Sequence, residues 1–200
     1  LARGRRAARP FAQMALSSRT PAATVLASRA DVGPELGAEE AALVGFLNEA
    51  RADPRAFAER HLRERAGRSA AARECYVEMR RTEARPPLAP SRTLSAAARD
   101  HALDLGRSGQ TVHTGSDGST LAGRVERHGR WDRSLGENLA FGIADPLEIV
   151  LGLLVDDGVP GRGHRRNILD PSFAHVGVAL RPHPRFGVVA VVDFAGGIDR

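Results

Sequence analysis

Two histidines and two carboxylates stand where packing alone gives no reason for them. His113 opens the turn-rich string HTGSDGST (113–120), and His164 sits in the glycine-rich string GVPGRGHRRNIL (158–169). Between them, Glu137 is pinned in GENL between a glycine and an apolar stretch, and Asp156-Asp157-Gly158 closes an apolar run. Imidazole nitrogen suits zinc and carboxylate oxygen completes its shell, so the set can hold a divalent metal or do acid–base work. The bland alternative is four surface polar groups on four loops, because spacing does not show convergence.

Other signals are weaker. Gly158, Gly161 and Gly163 do not make the dinucleotide pattern, and no lysine is present for a phosphate loop. Ser116, Ser119 and Ser134 lack nucleophile-elbow context. Cys75, the one cysteine, reads as a small buried side chain rather than a catalytic thiol. His175 and His183 read as structural. Arg162, Arg165 and Arg166 could bind an anion, although a solvated charged rim fits them better. Trp131 either packs under the site or lines it.

The elements that must position these residues follow from periodicity. Leu43, Phe46, Leu47 and Ala50 recur at helical spacing behind Glu39 and Glu40, and Asp53-Pro54 restarts the helix as cap and first-turn proline. Residues 63–85 read as a weakly amphipathic helix closed by Pro86-Pro87. Leu94, Ala98, Ala102 and Leu105 form one stripe, with Gly106 near its end and His101 and Asp104 outside it. Ser119 or Thr120 caps a short helix that stops by Gly129. Asp145-Pro146-Leu147-Glu148 opens a buried helix through Leu154. Two β-branched runs, Val176–Leu180 and Phe186–Phe194, flank a turn at 181–185 as a hairpin. Helices first and a terminal hairpin last point to an α+β fold with helices on an antiparallel sheet.

Composition bounds the rest. The chain has 200 residues, 29 basic and 24 acidic, for a net charge of +5, and every basic residue is arginine. Six arginines precede the first acid, Asp31, which leaves 23 arginines against 24 acids afterwards. The excess charge is thus an Arg- and Ala-rich arm over residues 1–38, expected to be unstructured, with the composition of an organelle transit peptide and a bland solvated tail as the alternative. The body, 39–200, forms one domain of nearly neutral charge. Nucleic acid is an unlikely partner, because phosphate recognition needs basic groups gathered on a folded face, and seven Phe, one Trp and one Tyr are too few for a stacking platform. One cysteine excludes an intrachain disulfide and any Cys-rich zinc motif. No apolar run approaches the ~18–20 residues of a membrane span.

The strings NEARADPRAFAERHL, LSAAARDHALDLGRSG, HTGSDGST, GENLAFG and GRGHRRNILDPSFAHVGVAL occur in the order of similar strings in the CAP superfamily. That superfamily groups cysteine-rich secretory proteins, antigen 5 and pathogenesis-related class 1 proteins around the SCP domain. The resemblance runs from about Glu39 to Gly197 and is closest to cystine-free bacterial-type members. It implies an α–β–α sandwich, with helices on both faces of a mainly antiparallel sheet, and a central cleft where two histidines and two acids face one another. His113 and His164 match the cleft histidines, with a divalent cation such as zinc between them implied. Glu137 matches the acid of the GEN string. The second acid falls on Asp156, one methylene shorter than the family's glutamate, with Asp157 and Glu148 as alternatives. The resemblance further implies a secreted or surface-associated protein that binds a sterol, lipid, small ligand or protein partner through the cleft. The competing reading is a metal-assisted, peptidase-like hydrolase with Glu137 as general base; a structural surface domain without ligand is a third. Without disulfides, stability must come from the core.

Overall fold

The computed structural model of the chain describes residues 18–19 and 35–199. The rest of the Arg-rich arm up to residue 34 lies outside the described residues. A two-residue strand β1 (Ser18–Arg19) precedes α1 (Ala38–Ala52), whose Glu40 turns back to accept from the Gly37 amide at 3.1 Å. Asp53 then accepts from the Ala56 amide at 2.8 Å and starts α2 (Pro54–His61). The stretch read as one helix over 63–85 is instead a 3-10 turn at Arg63–Arg65 and a helix α3 (Ala70–Met79), restarted by the Ser69 cap. Gly67 and Ser69 favour a turn and a cap over a continued helix.

A short strand β2 (Ala89–Pro90) leads into α4 (Arg92–Ser108), which outlasts Gly106 and ends on Gly109 at φ 69°. Thr120 caps α5 (Leu121–Glu126). Next comes β3 (Arg130–Phe141), where the sequence had suggested a loop around GEN. Asp145 caps α6 (Pro146–Val155), and α7 (Gly163–Leu169) follows. β4 (His175–His183) and β5 (Gly187–Asp199) form the hairpin, each longer than its apolar run.

The strands lie in the order β1-β3-β5-β4-β2, with β2 parallel to β4 and the other neighbours antiparallel. Side chains alternate between the faces. Leu139, Val189 and Val191 meet Ala98, Ala102 and Leu105 of α4, and Leu135 and Ala195 meet Leu94, Ala97 and Val125. Ala140, Val176, Val178, Ala190, Val192 and Phe194 face α1, α2, α3, α6 and α7 across a larger core. Helices therefore cover both faces of a mainly antiparallel sheet, an α+β sandwich. A Cβ on Gly177 of β4 would lie 2.1 Å from the Leu94 carbonyl carbon and 2.2 Å from the Ser95 nitrogen, so this glycine lets α4 rest directly on the sheet.

Candidate functional site

Register decides which polar groups meet. In β3, Leu135, Glu137 and Leu139 point to the α4 face, while Gly136, Asn138 and Ala140 point to the other. Glu137 is therefore a strand residue with its carboxylate fully buried under α4 and α5. One oxygen lies 2.7 Å from His113 Nδ1 and the other accepts from Arg124 at 2.7 Å. Arg124, itself 1% exposed, also donates to the carbonyls of His113 and Ser119, so one guanidinium fixes both the acid and the loop that carries the histidine. His101 Nε2 stands 4.0 Å from the same carboxylate. Burial pushes the Glu137 carboxyl up, but the His113 hydrogen bond and the Arg124 and histidine charges outweigh it and hold it below the ordinary carboxylate range.

Directly opposite Glu137 in the β3–β5 register is Asp193, fully buried on the same face. Counted as two ionised groups, the acids share no hydrogen bond and both Asp193 oxygens are left without a partner. A proton on Asp193 removes that conflict, because its O–H can then donate to Glu137. Burial first, and the Glu137 charge second, raise the Asp193 carboxyl well above its usual range, with Arg124 opposing only in part. The two acids thus divide roles: Glu137 ionised, Asp193 neutral.

His164 and Asp156 form a second pair. Asp156 ends α6 in the left-handed conformation at φ 54°, and its carboxylate meets His164 Nδ1 at 2.5 Å and accepts from the His164 amide at 2.9 Å. Asn138, on the opposite face of β3 from Glu137, donates to the His164 carbonyl at 3.1 Å, and Asn167 donates to Asn138 at 2.8 Å. Of the three candidate second acids, Asp156 is the one beside a histidine. Asp157 is exposed, and Glu148 binds Arg65 through both oxygens at 2.8 and 2.6 Å. The four sequence-derived residues are thus joined as His113–Glu137 and Asp156–His164. Among the described residues, no group of three or more His, Cys, Asp or Glu is arranged to hold a metal ion.

The chain matches the CAP, cysteine-rich secretory protein family over residues 46–194. It belongs to that family. The uncharacterized protein YkwD of Bacillus subtilis (strain 168) is 32% identical over 92 residues, 46% of this chain and 34% of YkwD. Among solved structures, an extracellular protein containing a SCP domain from Bacillus anthracis str. Ames is 24% identical with a TM-score of 0.46, over 56% of this chain and 34% of that one. A cysteine-rich secretory protein from Staphylococcus aureus subsp. aureus Mu50 is 13% identical with a TM-score of 0.48, over 81% and 38%. An outer surface protein of Borrelia burgdorferi is 19% identical with a TM-score of 0.47, over 66% and 92%. The chain spans about a third of the length of YkwD and of the two longer structures.

In this CAP domain several other sequence candidates take structural places. Arg165 is fully buried rather than part of a rim: it donates to the Leu154 and Val155 carbonyls at the end of α6 and to Glu74 and Glu78 of α3. Arg162 binds Glu74 and the Asp156 carbonyl. Cys75 is buried and its thiol is pushed up to about 12 by desolvation, which leaves no thiolate for nucleophilic work. His183 accepts from the Arg185 and Phe186 amides and lies 3.0 Å from the Gln110 carbonyl. Trp131 is half-buried against the α5 side and donates to Glu126. No helix among the described residues is long and apolar enough to cross a membrane. His101, Arg124 and Asp193 complete the polar cluster around Glu137, and no motif in the sequence assigns any of the three to the site. The one signal available was a lone aspartate inside the apolar run VVAVVDF.

Proposed function

We propose that this CAP domain is an extracellular or surface-associated binding module and not a hydrolase. The observation that carries the reading is the state of Glu137. Its oxygens hold His113 and Arg124 and face the Asp193 proton, and it is fully buried, so it has no surface open to a water it could activate. General-base catalysis needs that reach. The Bacillus anthracis protein is extracellular and the Borrelia protein lies at the outer surface, and the same location is proposed for this domain.

The binding reading includes a weak divalent-cation site. His113 has Nδ1 held by Glu137, which leaves its Nε2 as the donor, the arrangement that orients imidazole toward a metal, and the His164 ring is likewise held at Nδ1 by Asp156. His113 Nε2 is buried without a hydrogen-bond partner, which fits a ligand nitrogen. His113 and His164 would hold the ion, with Glu137 and Asp156 orienting the rings; the ion would supply a Lewis-acidic anchor for a ligand. Zinc calorimetry on the wild type, His113→Ala and His164→Ala tests this. Binding that is lost in both variants supports the site, and equal binding in all three removes it. Chelator-sensitive digestion of a peptide library that disappears in Glu137→Gln would instead establish the hydrolase.

A further inference from the structure

We infer that His183, outside the polar cluster, is a positioning residue for His113: its imidazole ties the β4–β5 turn to the loop that presents the His113 ring. The inference rests on the cation-site reading above and adds a remote residue on which that site's geometry depends. His113 stands just beyond Gly109, where α4 ends. Residues 110–113 lie in no helix or strand, and among the described residues no backbone–backbone hydrogen bond holds them. Their carbonyls accept from side chains of three other elements. His183 Nε2 lies 3.0 Å from the Gln110 carbonyl, His101 Nε2 lies 3.1 Å from the Val112 carbonyl, and Arg124 donates to the His113 carbonyl at 3.1 Å. A segment whose polar backbone groups are met by side chains is only as fixed as those donors make it.

His101 and Arg124 also face the Glu137 carboxylate, so a change in either disturbs the acid directly. His183 binds the Gln110 carbonyl and its own turn, so its influence on the site passes through the loop. The hydrogen-bond pattern settles its tautomer. Nδ1 accepts from the Arg185 and Phe186 amides at 3.2 and 3.3 Å and so carries no hydrogen, which leaves Nε2–H to donate to Gln110.

The donor stands on a firm base. The His183 ring is buried, and the rings of Phe141 and Phe186 each lie 5.3 Å from it, centroid to centroid. The turn also meets the end of α4 directly: a Cβ on Gly106 would come within 2.6 Å of the Pro182 carbonyl oxygen. At the other end of the loop, His113 Nδ1 lies 2.7 Å from ionised Glu137 and carries the hydrogen, which leaves Nε2 for a cation. Gln110 is three residues from that ring, so freeing its carbonyl loosens the backbone that aims Nε2. This is how a partner one step removed from a ligand orients it.

Two variants of the full chain separate the bonds that His183 makes. His183→Asn keeps an acceptor for the turn amides but is too short to reach Gln110, whereas His183→Gln can still offer an N–H there and is the conservative rescue. If His183→Asn fails to fold, His183→Phe, which keeps a ring against Phe141 and Phe186, takes its place. Two readouts are taken in chelator, the ¹⁵N order parameters of residues 110–113 and the hydrogen-bonded Nδ1–H signal of His113; the third is zinc affinity by calorimetry. In His183→Asn the order parameters should fall below about 0.6. The His113 signal should broaden or vanish, and zinc should bind roughly fivefold more weakly, the scale of one lost hydrogen bond. His183→Gln should stay near the wild type in all three. A merely structural role would lower Tm and leave the folded protein's loop and ring signals unchanged. The inference is overturned if His183→Asn, folded, keeps the wild-type loop order, His113 signal or zinc affinity. It is also overturned if His183→Gln behaves as His183→Asn, which would assign the effect to the turn and not to the Gln110 bond. Should the wild type bind no zinc, the cation-site reading falls by itself, and the two readouts in chelator still decide the role of His183.

Discussion

Asp193→Asn should change how stability depends on pH, by an amount that follows from where Asp193 sits. In the native state its carboxyl is buried against ionised Glu137 and is raised well above its usual range. In the unfolded chain an aspartate titrates near ~3.9. Between that value and the folded one, the native state binds one more proton than the unfolded state. Stability then falls by ~1.4 kcal/mol for each pH unit gained across that window. Put as linkage, the raised group contributes fully below the unfolded value and its contribution is lost as pH rises through the folded value. Asparagine cannot titrate, yet it keeps the shape and offers an N–H to Glu137. The variant should therefore gain on the wild type by ~1.4 kcal/mol per pH unit from about pH 5 upward. With urea m-values of about 1–3 kcal/mol/M, the two midpoints should diverge by roughly 0.5–1.4 M per pH unit. Glu137 does not mask the effect. Its carboxyl is depressed, so its contribution is lost only as pH falls below the ordinary carboxylate range. His101 titrates low through burial, but it is common to both proteins and cancels in the difference. Urea melts at pH 4.5, 5.5 and 6.5 decide the matter: parallel stability curves would mean that Asp193 is ionised in the fold, and the division of roles between the two acids would be wrong.

Two further outcomes follow from the same packing. Glu137→Ala strands Arg124 as a buried, uncompensated charge and should cost ~3–5 kcal/mol, whereas the double variant Glu137→Leu/Arg124→Met should recover much of that loss; a double-mutant cycle in urea measures it, and additive effects would deny the pairing. Gly177→Ala drives a methyl group into the backbone of α4 and should cost ~3 kcal/mol, the upper end of the overpacking range, which lowers Tm by about 6–12 °C in a domain of this size; an unchanged Tm by calorimetry would refute the close contact.

What could be read from the sequence was whatever rested on a single local rule. The α4 stripe, the Asp53-Pro54 and Asp145-Pro146 caps and the terminal hairpin each follow from a period or a capping residue, and the structure has them. The strand β3 broke the rule because its α4-facing positions carry Glu137 between Leu135 and Leu139, and its equally buried opposite face carries Gly136 and Asn138, so apolar alternation is lost where the polar site sits. A register irregularity between Asp132 and Leu135, with Arg133 at φ 66°, blurs it further. His113, Glu137, Asp156 and His164 could be singled out by type and loop context. Asp193 could not, since it becomes part of the cluster only through a cross-strand register that no local pattern encodes. His101 looks polar and outside the stripe, yet it is fully buried between the Val112 carbonyl, 3.1 Å from its Nε2, and the Glu137 carboxylate.

The arginines explain how a disulfide-free CAP domain ties its loops together. Apolar burial is not the whole answer, because three of the largest fully buried side chains are Arg51, Arg124 and Arg165. Each gathers groups from elements distant in sequence. Arg51 of α1 donates to the carbonyls of Pro86, Ile168, Asp170 and Phe173, joining the first helix to the segment before β2 and to the α7–β4 connection. Desolvation lowers its pKa to about 10, which still leaves it charged at neutral pH. Arg165 ties α7 to the end of α6 and to α3, and Arg124 ties α5 to the His113 loop and β3. A guanidinium has five donors in a fixed plane, so one side chain can satisfy several carbonyls that would otherwise be buried unpaired. Lysine, with a single point charge on a flexible stem, could not substitute at these sites. The all-arginine composition therefore has a structural use at these three positions, and a Lys replacement at any of them would leave buried carbonyls without donors.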